Sequence, residues 1–268
     1  MDLDLYFRRI GYLGTRAPTL GTLSALTEAH AQAIPFENLD VLLGRPIRLE
    51  PEALFDKLVA EQRGGYCFEQ NGLFLAVLEE LGFRVTPISA RVRLQRPRDF
   101  IPPRTHVFIR VELEGESFLT DVGVGALSLT GPLRLLEDAE QETPHEPRRL
   151  VREGSSWFHQ VRFGNEWHDV CEFTLEPMPS IDRELGNWFT SAHPQSHFKN
   201  RLIVARAAPD GQRVSLLNDE LSVRNRGGLA TTTRIASGAE LLEVLRSSFG
   251  LAFSPETRFG PVGSPWPV

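Results

Sequence analysis

The spacing of apolar residues changes at Gly82 in this chain of 268 residues, and the change separates an N-terminal helical part from a β part. Before Gly82 the apolar residues recur every three or four positions, as on the buried face of a helix. After Gly82 they alternate with polar residues, as in a strand with one buried face. This order predicts an α+β fold, with helices first and antiparallel strands after them.

Three helices are predicted before Gly82. Leu20 to Ile34 carry one apolar stripe, a second stripe runs from Pro51 to the glycines at 64 and 65, and a third helix runs from Cys67 to Gly82. The third helix is apolar around most of its circumference, so we expect it to be buried.

The β part contains several strand candidates. Residues 83–94 alternate across a register break near Pro87, and His106–Leu113 turn back at Gly115 into SFLTDVGVG to form a hairpin. Residues 187–198 are predicted to be a loop, Ser237 and Glu240 to cap a helix, and the tail from 254 to lie extended. Further strands are predicted over 155–163, 166–175, 201–206, 213–217, 220–225 and 229–234.

Charge and cysteine content narrow the partners and the compartment. Lys and Arg number 29 against 35 Asp and Glu, a net charge of −6, so no nucleic acid partner is expected. The N-terminus lacks the features of a signal peptide, no apolar run is long enough to cross a membrane, and the two cysteines cannot form a disulfide framework. We therefore expect a cytoplasmic protein without a membrane partner, and the sequence leaves homo-oligomerisation open.

Cys67 follows an Arg-Gly-Gly run and occupies the first turn of the predicted third helix. Helix N-terminal amides favour a negative charge, which lowers the pKa of a thiol there and suits a nucleophile. The alternative interpretation is a small buried apolar residue, which is the commonest role of a free cysteine.

The predicted hairpin brings a histidine and an aspartate together. If Glu114 and Gly115 form a two-residue turn, Asp121 lies opposite Phe108, and His106 is its diagonal neighbour on the same face. A turn of odd length would separate the two side chains onto opposite faces. Taken singly, the histidine could be structural and the aspartate a turn former, but with Cys67 they make a candidate triad.

Five segments at these positions resemble the arylamine N-acetyltransferase family, in order and in spacing. The segments are IPFENLD (34–40), LLGRPI (42–47), RGGYCFEQNG (63–72), RTHVFIRV (104–111) and LTDVGVG (119–125). The resemblance implies a helical bundle over 1–82 that carries the nucleophile and a β-barrel over 83–185 that carries the histidine and aspartate. An α/β lid follows over 186–268, with a C-terminal helix and an extended tail, around a Cys-His-Asp core like that of cysteine proteases.

The resemblance also implies a reaction. Cys67 is the nucleophile, His106 the general base and Asp121 its orienting partner in a ping-pong transfer from acetyl-CoA to an arylamine or arylhydrazine, as in xenobiotic metabolism. The implied co-substrate is acetyl-CoA, and no metal is implied. Four residues are expected near the pantetheine and pyrophosphate of CoA: Thr105, Gly123, Gly125 and Ser128.

The resemblance places Phe36, Val124 and Phe198 in the acceptor pocket. The family pattern is DVGFGG, whereas this chain has DVGVGA, with Val124 in place of an aromatic residue and Ala126 in place of a glycine. We expect a wider slot and altered selectivity for aryl acceptors.

Three other functions are compatible with the residues. They are an amide synthase of the same fold, a cysteine hydrolase or transglutaminase-like enzyme, and a binding module with a vestigial triad.

Arg63 could pair with Glu69 beneath the nucleophile. Arg201, Arg224 and Arg226 could meet the 3′-phosphate of CoA or lie on a solvated surface. His193 and His197 have a metal-like spacing, but Pro194 opposes a shared helix and no metal site is predicted.

Overall fold

The computed structural model describes residues 1–94, 96–226 and 228–260. The helices are α1 (Leu3–Ile10), α2 (Leu20–Ala33), α3 (Leu39–Leu42), α4 (Pro51–Phe55), α5 (Cys67–Glu80), α6 (Ser180–Ala192) and α7 (Gly238–Phe249). The strands are β1 (Phe36–Glu37), β2 (Arg84–Val92), β3 (His106–Leu113), β4 (Glu116–Thr120), β5 (Leu133–Arg134), β6 (Arg148–Glu153), β7 (Ser156–Phe163), β8 (Glu166–Pro177), β9 (Ile203–Ala207), β10 (Arg213–Leu217), β11 (Glu220–Arg224) and β12 (Ala230–Arg234).

Helix α5 is the centre of the N-terminal helical part. Leu73, Phe74 and Val77 are fully enclosed and pack with apolar residues of α1 and α2, as the all-round apolar pattern predicts. The same cluster contains Ile109 and Val111 of β3. The helix that begins at Cys67 is therefore packed directly against the strand that begins at His106.

A seven-stranded antiparallel sheet forms the middle of the molecule, in the order β5-β4-β3-β2-β8-β7-β6. Single bridges from Glu137 to Leu150 and from Gln141 to Arg148 join the segment after β5 to β6. The sheet therefore nearly closes into a barrel. The register between β2 and β8 shifts next to Ile88, close to the break predicted at Pro87.

A second sheet, in the order β1-β9-β10-β11-β12, packs with α7 to form the C-terminal part. Its strands match the four short strands predicted from the sequence. Its edge strand β1 comes from the N-terminal part, because Phe36 pairs with Ala205 and Glu37 with Val204. This pairing holds part of the chain that precedes Cys67 against the C-terminal sheet.

The loop predicted over 187–198 is wrong over 187–192, because helix α6 runs through Ala192, whereas residues 193–196 do form a connection outside helix and strand. Its buried face consists of the small or polar residues Gly186, Asn187 and Thr190, whereas Ile181 and Leu185 are exposed. Ile181, Leu185 and Trp188 have the spacing of one helix face, but this apolar face is exposed, and the buried face lacks an apolar stripe.

The α+β architecture of helices, barrel and C-terminal α/β part is confirmed. Among the described residues, we find no helix with the length and apolarity needed to cross a bilayer. The part of the predicted extended tail over 261–268 lies outside the described residues.

Candidate active site

The hairpin of β3 and β4 has the register that a two-residue turn requires. Leu113 pairs with Glu116 and Ile109 pairs with Thr120. Glu114 and Gly115 form the turn with φ of 52° and 84°, the positive values of a type I′ turn. The predicted alignment of the two strands is therefore confirmed, and Asp121 follows the end of β4 beside the start of β3.

His106 and Asp121 are in direct contact and buried. His106 Nε2 lies 2.9 Å from Asp121 Oδ2, and both side chains are at most 1% exposed. An ionised carboxylate can only accept, so the imidazole donates from Nε2 and its Nδ1 carries a lone pair. The second carboxylate oxygen, Oδ1, accepts from the Gly123 amide at 2.8 Å. These contacts fix both the ring orientation and the tautomer of His106.

Asn71 of α5 holds the aspartate from the helix side. Its Nδ2 donates to Asp121 Oδ1 at 2.7 Å and to Val107 O at 2.8 Å, and its Oδ1 accepts from the Val122 amide at 3.0 Å. One amide side chain therefore ties α5 to both strands of the hairpin.

Cys67 is the first residue of α5, and its thiol lies at the edge of β3. The thiol donates to Thr105 O at 3.4 Å, so the sulfur contacts the residue just before His106. Because Asp121 occupies Nε2, the remaining ring nitrogen of His106 is Nδ1. The structure thus brings the three predicted triad residues to one place between α5 and the hairpin.

Burial raises the pKa of the Cys67 thiol, and the nearby Asp121 carboxylate adds to the effect. The amides of Phe68 and Cys67 at the helix N-terminus act in the opposite direction but are weaker. The amides at the helix N-terminus therefore act in the predicted direction, but the predicted net lowering of the Cys67 pKa is wrong, because desolvation of a buried thiolate outweighs the amides. A thiolate buried at this position needs a positive partner.

A close backbone approach at Gly123 completes the junction. A Cβ atom there would lie 2.8 Å from Cys67 Cα and 2.8 Å from Asn71 Nδ2. Both contacts are shorter than van der Waals packing allows, and the first is to backbone that cannot yield. Glycine at this position lets the segment after β4 lie directly on the start of α5.

A network of charges with little exposure, joined through Asp40, lies beside the segment that precedes Cys67. Lys57 Nζ donates to Glu69 Oε1 at 2.6 Å, and Glu69 Oε2 accepts from the Tyr66 amide at 3.0 Å, just before Cys67. Arg63 instead pairs with Glu37, through Nε at 2.9 Å and Nη2 at 2.7 Å. The predicted pair of Arg63 with Glu69 is wrong. Glu69 forms its ion pair with Lys57, and Glu37 of β1 lies beside Arg63.

Known proteins share this arrangement of chain and fold. A family model described as N-acetyltransferase matches residues 19–258. An arylamine N-acetyltransferase of Mycolicibacterium smegmatis is 45% identical over 255 residues, which cover 94% of this chain and 92% of the relative. The structure of the M. tuberculosis arylamine N-acetyltransferase superposes with a TM-score of 0.90 at 42% identity and covers 93% of each chain. The chain belongs to the arylamine N-acetyltransferase family.

A family member has also been solved with CoA. The Mycobacterium marinum arylamine N-acetyltransferase in complex with CoA superposes with a TM-score of 0.89 at 41% identity, over 93% of this chain and 92% of that chain. The family uses acetyl-CoA as its co-substrate. Within the described ranges, no group of three or more His, Cys, Asp or Glu side chains is arranged to hold a metal ion.

Of the four residues predicted near CoA, Thr105 and Gly123 contact Cys67 or Asp121, and Gly125 and Ser128 lie in the loop that follows Gly123. Gly123 contacts Cys67 and Asn71 as described above, and Gly125 has a φ of 81° and faces the ring of Phe36. The Ser128 hydroxyl donates to Gly125 O at 3.0 Å and is buried, so it shapes the loop. Thr105 lines a cavity of about 320 Å³ together with Met178. Contact of these residues with CoA stays a prediction.

Two of the three predicted acceptor residues cluster with the nucleophile. The rings of Phe36 and Phe198 meet edge to face with centroids 6.1 Å apart and belong to the same apolar cluster as Cys67. Val124 instead packs in the barrel interior with Phe108, whereas Ala126 lies against the Cys67 cluster. The structure therefore separates Val124 from the other two, and its effect on acceptors stays a prediction.

Asn71 is the main contact of the site that our sequence analysis did not assign. It lies four residues after Cys67, one helical turn later and on the same face. A polar side chain in a helix that is otherwise apolar on that face is the signal that points to it, because a buried amide requires partners.

Proposed function

We propose that this enzyme acetylates arylamines and arylhydrazines in two steps, in which Cys67 carries the acetyl group as a thioester between acetyl-CoA and the amine. The observation that carries the proposal is the contact of His106 Nε2 with Asp121 Oδ2 at 2.9 Å, beside a thiol that touches Thr105 O. An imidazole that is held through Nε2 keeps Nδ1 available to accept a proton from a neighbouring thiol.

In the first step, Cys67 Sγ transfers its proton to His106 Nδ1 and attacks the carbonyl carbon of acetyl-CoA. A new C–S bond forms to Cys67, the C–S bond to CoA breaks, and the CoA sulfur leaves with the proton from His106. Asp121 stabilises the transient imidazolium, which is the charge that a buried thiolate requires.

In the second step, the amine nitrogen attacks the acetyl carbon of the thioester. Its N–C bond forms, the bond to Cys67 Sγ breaks, and His106 takes the amine proton, which restores the paired thiolate and imidazolium. An aromatic amine suits this step because it is uncharged near pH 7 and keeps its lone pair for attack.

The acyl-enzyme can be observed directly. Intact-mass spectrometry after incubation with acetyl-CoA alone is expected to show one added acetyl group per chain, located at Cys67 by peptide mapping. Addition of an arylamine is expected to remove it and to yield the acetylated amine.

Two variants make this measurement decisive. Cys67→Ser is expected to lose the adduct and the turnover, whereas Cys171→Ala keeps both, because Cys171 is a buried strand residue of the barrel interior. An adduct at Cys171, or turnover that survives Cys67→Ser, would refute the mechanism.

A further inference from the structure

A buried carboxylate receives three arginine side chains where the barrel meets the C-terminal sheet. Glu146 Oε2 accepts from Arg148 Nη2 of β6 at 2.9 Å and from Arg213 Nη2 of β10 at 2.7 Å. Its Oε1 accepts from Arg213 Nε at 3.1 Å and from Arg224 Nη2 of β11 at 2.9 Å. We call these four residues and His159 the arginine cluster. Among the described residues, no second carboxylate forms an ion pair with these arginines.

The charges of the arginine cluster do not balance. Glu146 supplies one negative charge against three guanidinium groups. Arg224 is 19% exposed at its side chain and lies 4.3 Å above the ring of Phe163, so water and the ring face offset its charge. Arg148 and Arg213 are 0% and 2% exposed, and Glu146 can neutralise only one of them. One enclosed positive charge is left over, and burying an unpaired charge is costly.

Unused hydrogen-bond donors lie on the same side chains. Arg148 Nε, Arg213 Nη1 and His159 Nδ1 are buried and have no acceptor among the described residues. His159 Nε2 accepts from Arg148 Nη1 at 3.2 Å, so the ring proton is on Nδ1 and this atom is a donor. Burial and the charge of Arg148 lower the pKa of His159, which keeps the ring neutral. All three unused groups are donors, so each lacks an acceptor. His159 Nδ1 is on the opposite side of the ring from the nitrogen that contacts Arg148, so the acceptor that the cluster lacks is the one for Arg148 Nε and Arg213 Nη1.

We propose that the arginine cluster binds a small monovalent anion of the size of chloride. Such an ion supplies both the missing negative charge and the missing acceptor, whereas a water molecule supplies only the acceptor. The enclosure of Arg148 and Arg213 favours a small ion over an oxyanion such as phosphate. Because the cluster joins β6 and β7 of the barrel to β10 and β11, the ion stabilises the junction of barrel and C-terminal sheet.

Anion-dependent thermal unfolding at constant ionic strength tests the proposal. The enzyme is unfolded in sodium gluconate that is replaced stepwise by sodium chloride, with phosphate as a separate series. Chloride is expected to raise Tm along a saturating curve, by about 5 °C at a hundredfold excess over its Kd. Equal Tm values in gluconate and chloride would overturn the proposal, and so would a larger rise with phosphate than with chloride.

Matched variants separate the site from general salt effects. Arg224→Gln removes one excess charge at a partly exposed position and is expected to weaken chloride binding about tenfold, seen as a shift of the saturating curve. Arg246→Gln removes the same charge from an exposed pair with Glu243 and is expected to keep the response of the parent enzyme. Identical chloride curves for the two variants would contradict the assignment.

Diffraction gives a second readout that does not depend on stability. Crystals soaked in sodium bromide are expected to show an anomalous peak in contact with Arg148 and Arg213. An ordered water without an anomalous signal at these donors would overturn the proposal.

Discussion

At the scale of single residues, the site depends on which nitrogen of His106 carries the proton. Asp121 Oδ2 accepts a hydrogen bond from His106 Nε2, while Oδ1 accepts hydrogen bonds from Asn71 Nδ2 and the Gly123 amide. Because both Oδ1 partners are donors, the carboxylate has a fixed orientation. The tautomer of His106 therefore depends on contacts from α5 as well as on the hairpin.

Asp121→Asn is expected to reverse this tautomer. The donors at Oδ1 hold the amide oxygen in that position, so the new NH₂ group faces His106 Nε2, which must then accept and leave its proton on Nδ1. The imidazole can no longer take the proton of Cys67, and we expect the acetylation rate to fall about 10³-fold to 10⁴-fold. Stopped-flow measurement of CoA release without amine checks this. An unchanged rate, with a Tm that shows an intact fold, would refute the assigned role.

Gly123→Ala is expected to disrupt the site through a single methyl group. Its Cβ would lie 2.8 Å from Cys67 Cα, so α5 and the hairpin must separate. We expect kcat/KM to fall at least about tenfold, since misplacement of reacting groups by about 1 Å costs up to about 100-fold. Gly131→Ala is the control, because its Cβ would meet no atom closer than 3.6 Å. Equal activities for the two variants would show that the contact is not critical.

The sequence predicted the contact of His106 with Asp121 but not the electrostatics around Cys67. Period-two alternation and a two-residue turn were enough to place His106 near Asp121, because strand pairing is local. The pKa direction of Cys67 was wrong, because burial depends on how α5, the hairpin and the residues around Phe36 pack together. The predicted partner of Arg63 was wrong for a similar reason, because β1, which carries Glu37, is positioned by pairing with a strand distant in sequence.

At the scale of elements, the segment after β4 connects two apolar clusters. Val124 packs into the barrel interior and Ala126 packs beside Cys67 and Phe36. Consecutive parts of one loop therefore contact the barrel core and the nucleophile cluster. We expect a change of side-chain volume in this loop to alter the packing around Phe36, and with it the space for the acceptor.

Val124→Phe tests this expectation. The larger ring exceeds the space of the packed barrel interior, so we expect it to turn toward Phe36 and narrow the acceptor slot. KM is expected to fall for small arylamines and to rise several-fold for bulky ones. A panel of acceptors of increasing size measures the effect, with Val161→Phe of β7 as the control for overpacking elsewhere in the same cluster. Unchanged KM values across the panel would contradict the predicted slot.

Helix α6 shows where element prediction from sequence fails. Its buried face is made of Gly186, Asn187 and Thr190, and the Asn187 side chain donates to Ile47 O at 3.1 Å. Tertiary contacts of small and polar residues stabilise this helix, and none of them appears as apolar periodicity. The strands of the C-terminal sheet were predicted well because alternation survives even in strands of five residues.

At the scale of the whole molecule, buried neutral histidines couple stability to pH. Burial lowers the pKa of His30 from 6.5 to about 4. Its ring joins α1 to α5, because Tyr6 OH lies 2.9 Å from Nδ1 and Gln70 Oε1 lies 2.7 Å from Nε2. The pKa of His145 is likewise lowered to about 4, mainly by burial.

Acid is therefore expected to destabilise the fold between pH 6.5 and pH 4. A histidine whose pKa is lower in the folded state binds its proton first in the unfolded chain, so the stability that it contributes is complete above pH 6.5 and is lost as the pH falls to 4. For His30 the expected loss is about 3 kcal/mol of unfolding free energy. Urea unfolding across this pH range measures it.

Variants isolate the contribution of His30. His30→Gln is expected to flatten the dependence of unfolding free energy on pH by about one proton, even if it lowers stability at pH 7. His168→Gln is the control, because the His168 side chain is half-exposed. A variant at His30 with the full acid slope of the parent would exclude it as the titrating group.

The overall architecture was predictable because helical and β periodicities occupy separate stretches of the chain. The association of the three parts was not, because it depends on pairs distant in sequence. Asn38 donates to Phe198 O at 2.8 Å and to Arg201 O at 2.7 Å, and Glu146 meets Arg213 and Arg224 across another junction. Such contacts leave no local signature, and they hold the C-terminal sheet beside the nucleophile.

The turn at Glu114 and Gly115 has a consequence for how this enzyme can vary over generations. It faces water and takes no part in chemistry, yet its length decides whether the imidazole and the carboxylate share one side of the ribbon. We therefore expect that insertions or deletions in this turn comprise an even number of residues, or that a β-bulge in one of the strands compensates for an odd number. The length of a solvent-facing hairpin turn usually varies freely, but here the number of residues in the turn is constrained by the contact between His106 and Asp121 at the other end of the strands.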